Sequence, residues 1–160
     1  MSNMQNLYTG SAGQAAVMSE FLLRGYNVAV PEVDRGDDLF VVEDVRGNLS
    51  RIQVKAAIGK KHKRGDSYTA QVNVPKQQLM TPQTPEVTYV FVLRSGDRWS
   101  DFVVIARPDL DVLHRSSGVG SATKTAIVMT LIVRSGVVMC SKQDLSKHRN
   151  DFSRWPPIKH

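Results

Sequence analysis

Hydrophobic and polar positions alternate along this chain in two different periods. Between Ser11 and Arg24, Gln14, Val17, Met18 and Phe21 recur at i, i+3, i+4 and i+7, one face of a helix. Gly25 follows, where a glycine commonly closes a helix C-terminus. Glu20 and Arg24 stand four apart, off that face, as a surface pair. The period then shortens to two, with strands expected over Asn27–Val30, Asp38–Glu43, Leu49–Ala57 and Ser67–Val74. Val45-Arg46-Gly47-Asn48 reads as the turn joining the second and third of these into a hairpin. Pro75–Met80 predicts a short helix opened by proline. Val87–Leu93 and Asp101–Ala106 form a second hairpin, and Pro108–His114 a further short helix. Thr125–Val133 and Val137–Cys140 close the strand series, and Ser141–Trp155 is expected to be helical up to Pro156-Pro157. This order predicts an α/β or α+β fold with a central mixed β-sheet flanked by helices.

A chain of 160 residues suits one domain spanning residues 1–160. With 41% hydrophobic residues it can bury a core, which excludes wholesale disorder. The single cysteine, Cys140, excludes an internal disulfide framework and a cysteine-built zinc site, and its Val-Val-Met-Cys setting reads as a buried strand position. No apolar stretch reaches the roughly 20 residues of a membrane span. The start lacks a secretory pattern, so an intracellular, cytoplasmic, reducing setting is expected.

Charge changes the picture more than composition does. The net charge is +6, and it is unevenly arranged. Residues 31–44 hold six acids (Glu32, Asp34, Asp37, Asp38, Glu43, Asp44) against Arg35 alone, whereas residues 51–64 hold six bases and no acid. A metal site beside a phosphate-binding surface would need such neighbours. In the first hairpin, alternation puts Arg51, Gln53 and Lys55 on one side of their strand and Ile52 and Val54 on the other. Antiparallel pairing can bring Asp38 to Gln53 and Lys55. A carboxylate and an amide oxygen suit a hard cation, particularly Mg²⁺, and an ammonium beside them can orient a water or stabilise a phosphoryl oxygen. That is a minimal set for metal-assisted phosphodiester hydrolysis.

Gly36-Asp37-Asp38-Leu39, followed fifteen residues after Asp38 by Gln53-Val54-Lys55, resembles the signature of the PD-(D/E)XK nuclease superfamily in its Gln-X-Lys form. The helix SAGQAAVMSEFLLRGYNV, carrying Gln14 ahead of a Gly-Tyr-X-Val strand entry, is similar to the start of that superfamily's core. So is the approach through Val30-Pro31, Asp34 and Gly36. The resemblance covers roughly residues 8–57 and extends to small homing-endonuclease, Holliday-junction-resolvase-like or Mrr-like members. It implies a restriction-endonuclease-like core and Mg²⁺-dependent hydrolysis of DNA, with Mn²⁺ as a substitute. Asp38 would be the principal metal carboxylate, and Gln53 would stand where a second acidic ligand is usual. The Val54 carbonyl would be a further ligand, Lys55 would assist the attacking water, and Gln14 would complete the site. Two glutamines at positions often acidic leave Asp38 as the main anionic ligand. Metal binding should therefore be weak until DNA phosphate joins.

Each residue also has a plainer reading. Asp37 and Asp38 can cap a turn, Gln53 and Lys55 can sit on a solvated strand face, and Gln14 can be an ordinary polar helix residue. The Lys60, Lys61, Lys63, Arg64 run can be a solvated loop; its place shortly after Lys55 suits a grip on DNA phosphate. The expected protein is thus an endodeoxyribonuclease acting on double-stranded DNA, as a homodimer or higher symmetric oligomer. The alternatives are a non-catalytic nucleic-acid-binding module retaining the nuclease fold and, further off, a protein-interaction domain.

Overall fold

The computed structural model describes residues 3–33, 36–63 and 65–157. The chain opens with α1 (Asn3–Leu23), β1 (Asn27–Ala29), β2 (Leu39–Val42), β3 (Leu49–Ile58) and β4 (Lys60–Lys61). β5 (Ser67–Pro75), α2 (Lys76–Met80), β6 (Val87–Ser95), β7 (Arg98–Ala106) and α3 (Arg107–Ser117) follow. β8 (Ser121–Ala122), β9 (Ala126–Arg134), β10 (Val137–Cys140), β11 (Gln143–Asp144) and a 3₁₀ turn at Ser146–His148 complete it.

Among the described residues these strands form two sheets. The first has the order β1-β2-β3-β6-β7 and is mixed, because β3 and β6 run parallel while its other neighbours are antiparallel. The second, β11-β10-β9-β5-β4 with β8 beside β9, is antiparallel throughout. The fold is mixed α+β with a central mixed sheet, as the element order predicted. β6 shows why that sheet is central. Val90 and Val92 face α1, in a cluster with Val17, Phe21, Ile52 and Val54. Tyr89, Phe91 and Leu93 face the second sheet, among Ala70, Val72, Ile127, Met129 and Leu131. A strand apolar on both faces is buried on both. The second sheet was not foreseen as a layer: its strands were legible, but alternation alone does not say which sheet a strand joins.

α1 begins eight residues before the expected Ser11 and ends as expected, with Gly25 at φ +81°. Its close approach to the sheet is set at Gly13. A methyl there would overlap the Cβ of Ala56 and lie 2.9 Å from Val92 Cγ1. Gly13→Val is expected to lose about 3 kcal/mol of stability, the upper part of the overpacking range. Gly10, where an added Cβ meets nothing within 4 Å, offers the matched control. Gly10→Ala should gain up to about 1 kcal/mol from helix propensity alone. Urea unfolding of both variants checks the pair, and equal shifts would contradict this packing.

The expected helix over Ser141–Trp155 does not form. Ser141, Lys142 and Asn150 have φ of 49°, 69° and 53°, which a right-handed helix does not contain. Tertiary anchors hold the segment instead. Asn150 donates its N–H to the Phe102 carbonyl at 2.6 Å and accepts the Phe102 N–H through its side chain at 2.9 Å. Arg149 pairs with buried Asp101, and Phe152 and Trp155 pack edge-on against Phe21. Trp155 and Tyr68 are buried, and the Tyr68 hydroxyl donates to Asp101. No helix among the described residues is long and apolar enough to cross a membrane.

Candidate active site

The site forms at the start of β2, where β3 runs on past it. Leu39 pairs with Ile52, and the Asp38 N–H still donates to the Ile52 carbonyl at 2.9 Å. Two residues further along β3, the Val54 N–H donates at 2.7 Å to Asp38 Oδ2. The Asp38 side chain thus takes the ladder position that another backbone carbonyl would have filled. The Gln53 amide nitrogen donates to the same oxygen. Alternation along β3 sends Gln53 and Lys55 to the same side, whereas Ile52 and Val54 are buried beneath α1. Asp38, Gln53 and Lys55 therefore line one cleft of about 490 Å³, together with Gly36, Pro75, Gln77 and Gln78.

Gln14 lies beside the site on α1. Its amide donates at 2.9 Å to the backbone carbonyl of Asp38, so it holds the Asp38 peptide. Asp37 faces elsewhere: its carboxylate pairs with Arg51 at 2.6 Å. That pair supports the turn into β2 and leaves Asp38 as the carboxylate lining the cleft.

Gln78 is the residue that sequence reasoning missed. It lies on α2, remote in sequence from the hairpin, yet its amide nitrogen donates to the Gly36 carbonyl and, at 3.0 Å, to Gln53 Oε1. The Tyr89 hydroxyl donates to Gln78 Oε1 at 3.3 Å. Burial pushes the Tyr89 phenol above its ordinary range, the opposing effect of Arg107 being smaller, so it stays a donor. An ordered run of bonds results: Tyr89 to Gln78, Gln78 to Gln53, Gln53 to Asp38. α2 is held by Arg107, which donates to the Leu79 carbonyl at 2.7 Å and pairs with Glu86 at 2.6 Å. The Arg107 hydrogen bond also lowers the Glu86 carboxyl, against a smaller burial effect. The only local cue to Gln78 was a Gln77-Gln78 pair in a proline-opened helix.

The donors at the cleft suit a hard cation. Among the described residues no group of three or more His, Cys, Asp or Glu side chains gathers anywhere. The available set is one carboxylate and neutral oxygens, which would suit Mg²⁺ only with other ligands filling most of its positions. Val54 directs its N–H to the Asp38 edge of β3, and its carbonyl shares that edge by strand geometry.

The basic run divides. Lys60 lies opposite Thr69 and Lys61 opposite Tyr68, so neighbouring lysines take opposite faces of the second sheet. Lys61 borders a separate polar concavity with Arg98, Asp101 and Arg149. Lys63 is exposed, and Arg64 lies outside the described residues.

No protein-family model matches the chain, and no curated protein matches it in sequence. Its fold is similar to that of a bacterial homing endonuclease, I-Ssp6803I. The TM-score is 0.53 at 19% identity, covering 91% of this chain and 87% of that one. At that identity the likeness is one of fold.

Proposed function

We propose that this chain is a metal-dependent endodeoxyribonuclease of PD-(D/E)XK type, hydrolysing phosphodiester bonds in double-stranded DNA. The observation carrying this reading is the convergence of Asp38, Gln53 and Lys55 in one cleft, on a fold shared with a homing endonuclease. Asp38 and the Gln53 and Val54 oxygens would hold Mg²⁺ or Mn²⁺. The bound cation would polarise the scissile phosphoryl oxygen and make an attacking water more acidic. Lys55 would orient that water or offset charge on the phosphoryl oxygens. Gln14 would fix the Asp38 backbone, and Lys60, Lys61, Lys63 and Arg64 would engage phosphates. One such site cuts one strand, so a symmetric dimer or higher oligomer would serve both strands.

The hydrogen-bond direction within the site carries a consequence. Gln53 offers its nitrogen to Asp38 and its oxygen to Gln78. To place its oxygen on a cation beside Asp38, the amide would turn over. Gln78 would turn with it, because two NH₂ groups cannot satisfy each other. This rearrangement and the single carboxylate both favour weak metal binding before DNA arrives.

The test is cleavage of supercoiled plasmid, linear duplex and branched DNA with Mg²⁺ or Mn²⁺, beside samples in excess EDTA. Nicking that requires the metal is expected, with loss of essentially all activity on chelation. The glutamines at 14 and 53 also favour a second reading, a binding module that keeps the fold. Salt-sensitive duplex binding, with no cleavage of any substrate and no metal bound by calorimetry when DNA is present, would establish that reading instead.

A further inference from the structure

The outer face of the second sheet is unused by the cleft chemistry. Inward residues of β5 and β9 (Ala70, Val72, Val74, Ile127, Met129, Leu131, Val133) are buried in the core. The alternate positions point outward in register: Gln71 opposite Thr130, Asn73 opposite Val128, and Thr69 opposite both Ile132 and Lys60. Gln71, Asn73, Thr130 and Arg134 are exposed, and their side chains make no hydrogen bond to any described residue. β4, β5, β9 and β10 contain no acid, Asp144 of β11 lying at the far edge of the sheet, while Lys60 and Arg134 supply positive charge to this face. The face is also continuous with the cleft: β5 runs from beside Lys60 to Pro75, which lines the cleft, and α2 follows directly with Gln77 and Gln78.

We propose that this face enters the major groove of duplex DNA and reads base edges through Gln71, Asn73 and Thr130, an inference that rests on the nuclease reading. The dimensions agree. A two-stranded antiparallel ribbon fits a groove about 12 Å wide. Outward residues two apart on a strand are separated by about 6.7 Å, roughly two base steps of 3.4 Å. Gln and Asn amides pair bidentately with adenine in that groove, and the Thr130 and Ile132 methyl groups suit the thymine methyl. Lys60, opposite Thr69, and Arg134, opposite Ser67, sit on either side of β5 at the end of the face ahead of Gln71, where a phosphate backbone would run. A homodimer contact is the less suited occupant, because the centre of the face is the Gln71–Thr130 pair and stable subunit interfaces are apolar at their centre.

The experiment selects bound duplexes from a pool with a randomised segment, using the wild-type protein in Ca²⁺. Affinity for the enriched sequence is then measured for wild type, the double variant Gln71→Ala/Asn73→Ala, and Lys60→Ala. The double variant should melt with the wild type, lose about tenfold or more on the enriched sequence, and keep its salt dependence. Lys60→Ala should weaken every duplex alike and flatten the salt slope. Wild-type sequence preference in the double variant, or no preference in the wild type, would overturn the proposal and leave the nuclease reading standing. A changed oligomer mass in the double variant by light scattering would reassign the face to a protein contact. Absence of any duplex binding by wild type would remove both readings together.

Discussion

Lys55→Met is expected to slow DNA cleavage by about 10² to 10³-fold while leaving duplex affinity within about threefold. The magnitude is that of one preorganised donor lost from a developing oxyanion, about 3–4 kcal/mol. Methionine keeps the aliphatic stem that packs along β3, so the half-buried position stays filled while the ammonium alone is removed. Asp38→Asn should lose at least as much, by a different route. Both the Val54 N–H and the Gln53 nitrogen meet Asp38 Oδ2, so the one oxygen that asparagine keeps can still accept both. Asparagine therefore removes the carboxylate's charge from the cleft while leaving its hydrogen bonds in place. Single-turnover cleavage with saturating Mg²⁺, beside equilibrium binding in Ca²⁺, separates chemistry from affinity. Cleavage by Lys55→Met at the wild-type rate would remove Lys55 from the chemistry.

The convergence of Asp38, Gln53 and Lys55 was legible because all three lie on one hairpin. There a period of two fixes the sides, and the turn at Val45–Asn48 fixes the pairing. The place of Gln14 near the hairpin was legible for a related reason, since it shares a helix face with Val17 and Phe21, but its bond to the Asp38 carbonyl was not. Gln78 was not legible at all, because what brings it to Gln53 is the docking of α2 on α3 through Arg107, a contact between segments far apart in sequence. The same limit explains the segment after Cys140. Leu145, Phe152 and Trp155 are buried as a helix face would be, yet their backbone is shaped by bonds to β7 at Phe102 and Asp101. Local periodicity reports which residues are inside; it does not report which remote strand receives their hydrogen bonds. Lys60 and Lys61 make the point in reverse, since a run read as one basic patch is split across two faces by strand alternation.

On the proposed metal reading, Gln53→Glu is expected to strengthen divalent-cation binding at least tenfold, an effect that can be read without any catalysis. Gln53 is 3% exposed and its amide nitrogen contacts Asp38 Oδ2. A carboxylate there would face another carboxylate at hydrogen-bond distance, a pair that either repels or must share a proton. Without metal the variant should therefore lose about 1–3 kcal/mol, lowering Tm by roughly 3–9 °C for a chain of this size. Gln78 needs no turn in this variant, because its nitrogen already donates to the oxygen at position 53. A divalent cation would then meet two charges with no amide to rotate, and affinity for Mn²⁺ should rise at least tenfold. Thermal melts in EDTA and in millimolar Mn²⁺ provide the readout. The wild type should shift little, whereas Gln53→Glu should start lower and recover most of the difference or exceed it. Adding Gln78→Leu to Gln53→Glu should reduce the gain by removing the bond that orients the new carboxylate. A variant whose Tm ignores the metal would show that Asp38 and residue 53 do not share a cation, and the site would then have to be read as a phosphate-contacting surface without metal.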